Sequence, residues 1–451
     1  MLLRNPMSRH IEPRLMRPDA IATIDLSESS MKMDHGAREV FLTDDMASSV
    51  ARESMPSGNP AGEESLPQLS AQSIEKARPL VSILIPAHNA ERWIATAIRS
   101  ALAQTWNPKE IIVVDDGSSD RTLEVARQYV SDIVRVFTQP NQGASAARNC
   151  AFSACRGDYI QWLDADDILA PDKIARQMAL VEEGVGNRTL LSSEWGKFMY
   201  RSSRAHFAPS ALWEDLSPVD WLLRKLGCNL YMQTATWLVS RELTVAAGPW
   251  DTRLMGDDDG EYFCRILLAS DGVRFVSGSR VYYRCFGYTG LSYLGGSPEK
   301  LTAHWTSMQL HMKYLQSLER SDRVNAACLE YLRNSLIYFY PERQDILAVA
   351  ERMAVEFGDQ LGVPSLSWKY LWIRKVVGWR LVKPYQRFVR RTRWRVETRF
   401  DALLFHLRDR RMREMGLTLQ TELQLAKKPT AASDMCNDPL AERGGNSTKA
   451  G

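Results

Sequence analysis

Three carboxylates stand within four residues at Asp164, Ala165, Asp166 and Asp167. They follow an apolar run, Tyr159–Leu163, that reads as a buried strand. Carboxylates this dense repel one another unless water or a cation neutralises them. Alternating Asp side chains about a small residue suit a hard, oxygen-loving cation, and such a cation commonly bridges to phosphate. A second acidic pair, Asp115-Asp116, ends the run Ile111–Val114. A third cluster, Asp257-Asp258-Asp259 with Glu261, opens a helical segment, where one carboxylate could take a proton from a nucleophile.

The elements that must position these groups are legible in the hydrophobic pattern. Val81–Ile85 and Ile111–Val114 are continuous apolar runs rich in β-branched residues, as expected of strands buried on both faces. A third strand is expected over Ile133–Phe137. Between them the period changes to that of helices. Ile94, Ala97, Ile98, Ala101 and Leu102 form one face; Leu123, Ala126 and Val130 form another, with Ser118 or Ser119 as cap. Ala147, Ala151 and Ala154 form a small packing face on a helix over 143–155. Four βα units in about 85 residues predict an α/β domain with a mainly parallel sheet and helices on both faces. In such sheets ligands sit beyond the carboxyl ends of the strands, where the polar clusters Pro86–Asn89, Asp115–Ser118 and Asp164–Asp167 all fall.

The segments VSILIPAHNAE, IIVVDDGSSDRT, NQGASAARN and GDYIQWLDADD, in this order, resemble the family 2 glycosyltransferases, an inverting group with the GT-A (Rossmann-like) fold. The similarity covers roughly Leu80 to Tyr293. It implies that Pro86, Ala87, His88 and Asn89 form the first nucleotide-contacting loop, with Glu91 next and His88 in a position that stacks on the base. It implies that Asp116 accepts hydrogen bonds from base or ribose, that Gly143 and Ala144 let backbone approach the nucleotide, and that Arg148 contacts phosphate or pairs with a rim Asp. Asp164 and Asp166 match the family DxD about Ala165. Asp164 is expected near ribose and metal, Asp166 as direct ligand of Mg²⁺ or Mn²⁺, and Asp167 as a cap of the next helix. The family places an acidic pair near a helix start with an Arg seven residues after its first member; counting back from Arg265 gives Asp258-Asp259, Asp where the family has Glu. Asp259 is the expected base, with Asp258 second. Arg284 and the Gly-rich loop after it are expected near the diphosphate. The segment 274–292 reads as a strand pair, 171–184 as a helix and Thr189–Ser193 as a strand.

The implied function is inverting transfer from a nucleotide-diphosphate sugar, with UDP the expected nucleotide, to a hydroxyl acceptor, saccharide or lipid-linked, in polysaccharide or glycoconjugate assembly. A sugar nucleotidyltransferase on a similar fold would need a Gly-rich loop after the first strand, where this chain has Pro-Ala-His-Asn. A non-catalytic nucleotide-binding protein with a decayed site is the alternative from another class, and intact Asp116, Asp164, Asp166 and Asp259 argue against it.

At 451 residues the chain can hold two to three domains, and its net charge of +3 predicts no partner by itself. The expected organisation is a disordered arm over 1–79 with a short helix near 37–53, a catalytic domain over 80–296, a helical region over 297–426, and a disordered tail over 427–451. Seven cysteines without CxxC pairing suggest reduced thiols and a cytoplasmic setting. No stretch has the length and apolarity of a signal peptide or a membrane span, so a soluble or peripheral protein is expected. The segment 367–415 holds 15 Lys or Arg against four acidic residues, interleaved with nine aromatics. That pattern suits a helix at an anionic membrane surface. Nucleic acid is not expected as partner, because no nucleic-acid-binding motif accompanies the patch.

Overall fold

The computed structural model describes residues 78–285, 297–362 and 368–414, with side chains of the last segment described over 385–408. The N-terminal arm as far as residue 77, the helix expected near 37–53, the Gly-rich loop after Cys285 and the C-terminal tail lie outside the described residues.

The α/β half follows the alternation read from the pattern. Its elements are β1 (Val81–Ala87), α1 (Ile94–Leu102), β2 (Lys109–Asp116), α2 (Thr122–Arg127), β3 (Val134–Gln139), α3 (Ala144–Ala154) and β4 (Tyr159–Trp162). Next come β5 (Ile168–Leu169), α4 (Lys173–Glu182), β6 (Thr189–Phe198), α5 (Pro218–Gly227), β7 (Val239–Ser240) and α6 (Arg241–Ala247). This half closes with α7 (Asp258–Ala269) and β8 (Gly272–Arg284). The helical region holds α8 (Pro298–Leu318), α9 (Asp322–Phe339), α10 (Gln344–Glu356) and α11 (Trp368–Glu414).

The main sheet has the order β3-β2-β1-β4-β7. The first three pairings are parallel, and β7 joins antiparallel at the edge. Every residue of β1 and β4 is buried, the polar Ser82 and Gln161 among them, as expected of strands covered on both faces. Because β2 and β3 lie on one side of β1 and β4 on the other, strand order reverses between β1 and β4. Ligand crevices of open α/β sheets form at such a point, and Pro86–Asn89 and Asp164–Asp167 are the two loops that leave it. A smaller sheet, β5-β8-β6, joins β6 and β8 in parallel with a register shift between Ser193 and Glu194.

Three local expectations are corrected. The segment 274–292 is not a strand pair where it is described: one strand, β8, continues from Gly272 to Arg284 through an irregularity at Ser277–Ser279, its partners being β6 and β5. Ser118 and Ser119 do not cap α2, which starts later, at Thr122; Ser118 Oγ instead accepts from the Asn89 amide. Val130 lies beyond the end of α2 and is 59% exposed.

The core does not stop at the end of the α/β half. Buried side chains form one continuous cluster from Val81 through Tyr262 to Met308, Leu336 and Ala354. The packing of α8 on α7 and of α9 on α5 carries it across residue 296.

Candidate active site

The site is assembled around Arg148. Alanine at 147 and 151 packs α3 onto the sheet, which turns the same face, and Arg148 with it, inward. Arg148 is 6% exposed. Its Nη2 donates to Asp164 Oδ1 at 2.9 Å and its Nη1 to Asp258 Oδ2 at 2.8 Å. Its guanidinium lies 4.4 Å from the Trp250 ring centroid, and Trp250 in turn stacks on Tyr262 at 4.0 Å. One cation thus ties the end of β4 to the start of α7. The two carboxylates raise its pKa against the opposing effect of burial. Of the two roles the sequence left open for Arg148, pairing with a rim Asp is the one seen.

The acidic residues fall into distinct roles. Asp164 and Asp258 are both paired to Arg148, and Asp258 also accepts from Ser145 Oγ at 2.9 Å. Asp166 is half-buried, and among the described residues no other side chain donates to its carboxylate. Burial and then the Asp164 charge push it up to about 7. Asp259 accepts from Thr234 Oγ1 at 3.2 Å and from the Gly260 amide at 2.9 Å, with no ion pair among the described residues. Burial, then Asp258 and Asp257, push it up to about 7 as well, against the pull of Arg148. Arg265, from which the acidic pair was counted, pairs with Glu261 at 2.7 Å.

Asp167 is not a helix cap. It is fully buried and accepts from the Arg284 amide at 2.7 Å and from Gln233 Nε2 at 2.5 Å. The chain after it enters β5, and α4 starts only at Lys173. Burial and the neighbouring carboxylates hold its pKa well above the usual range. Arg284 braces this turn from behind. Its Nε donates to the Asp166 carbonyl and its Nη1 to the Met199 carbonyl, each at 2.8 Å. Its guanidinium lies between Trp93 and Phe198, at 3.9 and 4.4 Å from their centroids. Arg284 is 3% exposed. It therefore shapes the Asp164–Asp167 turn through backbone.

The first-strand loop and the second acidic pair also interlock. Asp116, expected to meet base or ribose, is 3% exposed and turned inward. It accepts from Gln139 Nε2, Gln142 N and Gly143 N at 2.8 to 2.9 Å. It thereby fixes the loop that leads into α3, where Gly143 has φ +91°, a conformation that favours glycine. His88 Nδ1 lies 2.8 Å from the Asp116 carbonyl, which can only accept, so this nitrogen carries the proton. Asn89 and Asn141 reach the same ring; His88 is exposed, while Pro86 and Ala87 are buried and Ala144 is half-buried. Glu91 accepts from the Arg121 amide and links this loop to the start of α2.

Behind the base candidate stands a support the sequence did not reveal. Asp257 has φ +57°, a left-handed backbone for a non-glycine residue. Its carboxylate accepts from Ser307 Oγ of α8 at 3.1 Å, with His304 and His311 Nδ1 at 3.7 and 3.9 Å. Burial pushes His311 down to about 3, so the ring is neutral. At Gly260 a Cβ would stand 2.2 Å from Asp257 Oδ1, so the turn into α7 requires glycine.

Residues 82–217 match the model of glycosyl transferase family 2. The chain carries a family 2 glycosyltransferase domain. It is 42% identical over 103 residues to an uncharacterized glycosyltransferase of Haemophilus influenzae, covering 22% of this chain and 41% of that one. It is 44% identical over 101 residues to a chondroitin synthase of Escherichia coli, covering 22% and 15% respectively. A Rickettsia bellii glycosyltransferase aligns over 292 residues at 28% identity, covering 61% and 39%. The chain spans less than half the length of each of these curated relatives. A crystal structure of S. aureus TarS 1–349 in complex with UDP-GlcNAc superposes with a TM-score of 0.51 at 17% identity, covering 62% of this chain and 81% of that one. That likeness is one of fold, and the fold is GT-A.

Around this site, sequence reasoning assigned no role to Trp250, Ser145 or Gln233. Trp250 had a signal in the GPWD turn, a large aromatic in an otherwise polar loop. Ser145 and Gln233 act through partners more than 60 residues away, which no local pattern announces.

Proposed function

We propose that the chain transfers a sugar from a nucleoside-diphosphate donor, UDP-linked, to an acceptor hydroxyl with inversion at the anomeric carbon. The observation that carries this reading is the division of the carboxylates by Arg148. It pairs with both Asp164 and Asp258, while Asp259, raised to about 7 at the same rim, has no ion pair among the described residues. A base poised near neutrality is well matched to taking a proton at physiological pH. Asp259 accepts the acceptor hydroxyl's proton as that oxygen attacks the anomeric carbon. The bond from that carbon to the diphosphate oxygen breaks, and its electron pair leaves with the nucleoside diphosphate. Asp258, fixed by Arg148 and Ser145, holds the α7 start in register for this step.

The donor set of the Asp164–Asp167 turn fits a divalent cation. The Asp166 carboxylate is half-buried beside like charge, an arrangement a cation would relieve. Among the described residues no group of three or more His, Cys, Asp or Glu side chains could hold a metal by itself. Mg²⁺ or Mn²⁺ would take Asp166 and Asp164 from the protein and the rest from diphosphate and water. When bound, such an ion would offset charge growing on the leaving diphosphate. Rim-exposed His88 and the loop at Gly143 and Ala144 would receive the nucleotide. The UDP-GlcNAc complex of the TarS neighbour supports a nucleotide-sugar donor, and the chondroitin synthase relative supports a saccharide acceptor in polysaccharide assembly.

The test is a thermal-shift and donor-hydrolysis screen over nucleotide-sugars with Mn²⁺. UDP with Mn²⁺ should raise the melting temperature, and Asp166→Ala should abolish the metal-dependent part. Asp259→Asn should retain nucleotide binding and lose transfer. A fully active Asn variant would remove Asp259 as base, and an unchanged shift in Asp166→Ala would remove the metal assignment.

A further inference from the structure

The helix α11 carries two unlike faces, and the transfer site uses neither. One face is seated on the α/β half. Asp401, 8% exposed, accepts from the amides of Tyr200 and Arg201 and from Arg201 Nε. Thr398 reaches Met199, Arg408 reaches Ser203 Oγ, and Phe405 packs on Tyr200. The opposite face is bare apolar surface. Tyr385, Phe388, Val396, Phe400, Leu403 and Leu407 are between 50% and 67% exposed. At 3.6 residues per turn they fall on one arc of roughly 120°, along about 33 Å of helix. The charged residues between them have one sign at the surface. Residues 385–408 hold seven arginines and two acidic residues. Both acids are engaged, Glu397 with Arg393 and Asp401 with Arg201.

We propose that this outer face of α11 lies on an anionic lipid surface. The apolar arc would enter the boundary between headgroups and acyl chains, and the arginines beside it, such as Arg391, Arg395 and Arg399, would meet lipid phosphates. Charge complementarity selects this occupant. A second copy would bring a like array of arginines against the first. A nucleic acid would engage the arginines but leave the apolar arc in water. Lipid satisfies both features at once. None of the described helices is long and apolar enough to cross a membrane, so the contact is one of lying on the surface.

The experiment is co-sedimentation of the full chain with vesicles of phosphatidylcholine containing roughly a third phosphatidylglycerol, against phosphatidylcholine alone. Binding should require the anionic lipid and weaken as salt rises. Phe400→Ser with Leu407→Ser should weaken it by about tenfold or more. Arg391→Gln with Arg395→Gln and Arg399→Gln should weaken it to a similar degree. Because these side chains are exposed, both variants should melt like the parent chain. Three results would overturn the proposal. One is vesicle binding that ignores the serine pair. Another is serine variants that change oligomeric state in light scattering without changing vesicle binding. The third is arginine-dependent binding of single-stranded nucleic acid with none to vesicles.

Discussion

Replacing Arg148 with methionine tests the architecture of the site most directly. The side chain is 8% exposed, while its partners Asp164 and Asp258 are 28% and 19% exposed. Breaking a fully buried ion pair costs about 3–5 kcal/mol, because a charge is left without its partner in a poorly solvated place. Here two carboxylates are stranded, but each keeps some access to water and Met retains the contact with Trp250. The expected loss is therefore roughly 2–4 kcal/mol, equivalent to a fall in melting temperature of about 4–16 °C for a domain of this size. Urea denaturation of the single variants and of Arg148→Met with Asp258→Asn gives a double-mutant cycle. Asp258→Asn should cost less in the Met background than in the parent, with a coupling of about 1 kcal/mol or more. Arg148→Lys should recover only part of the loss, because an ammonium cannot fork to both carboxylates and stack on Trp250 together. Activity supplies an independent readout. Arg148 lowers the pKa of Asp259, so its removal should move the ascending limb of the pH–rate profile upward. A strictly additive cycle with an unmoved pH profile would refute the bridging role.

The parent enzyme should show an ascending limb in its rate with a midpoint near pH 7, the range to which burial and the neighbouring carboxylates raise Asp259. The same shift makes a stability statement: a carboxyl whose folded pKa lies above the unfolded value near 3.9 favours the fold while protonated. Stability should therefore decline as pH rises from about 4 to about 7, and Asp259→Asn should flatten that decline in denaturation measured across the range. Gly260→Ala should displace the Asp257 carboxylate, which a Cβ would approach to 2.2 Å. The expected cost is roughly 1–3 kcal/mol in unfolding, with a larger effect on kcat than on nucleotide affinity; equal losses in both would show that the turn serves folding alone.

Much of the α/β half was legible because it depends on local pattern. The runs Val81–Ile85 and Ile111–Val114 could only be buried strands, and polar residues placed where such runs end must lie at the sheet's carboxyl edge. The carboxylates themselves were legible, but not their partners. Asp116 and Asp167 look alike in sequence to residues that face ligand. Their inward turn is decided by Gln139, Gly143, Gln233 and Arg284, which lie from 23 to 117 positions away. Arg284 was expected near the diphosphate, and its burial could not be read from local pattern. It is buried here because two carbonyls and two aromatic rings receive it. The strand pair expected over 274–292 failed for a related reason. Alternation fixes a strand but not its neighbour, and β6 supplied the partner that a hairpin would have supplied.

The Ser307 contact beneath Asp257 has a consequence for anyone wishing to recombine this chain. A cut after the last strand of the α/β half looks natural, since β8 ends the sheet and α8 starts a new helical segment. Yet the left-handed turn that presents Asp258 and Asp259 rests on a hydroxyl and two imidazoles from α8. A chimera joined at that seam would inherit the sheet intact and receive a loop at Asp258 and Asp259 whose underside belongs to another protein. The transplantable piece is longer than the homology suggests: it extends at least through α8, and acceptor specificity would have to be exchanged inside it.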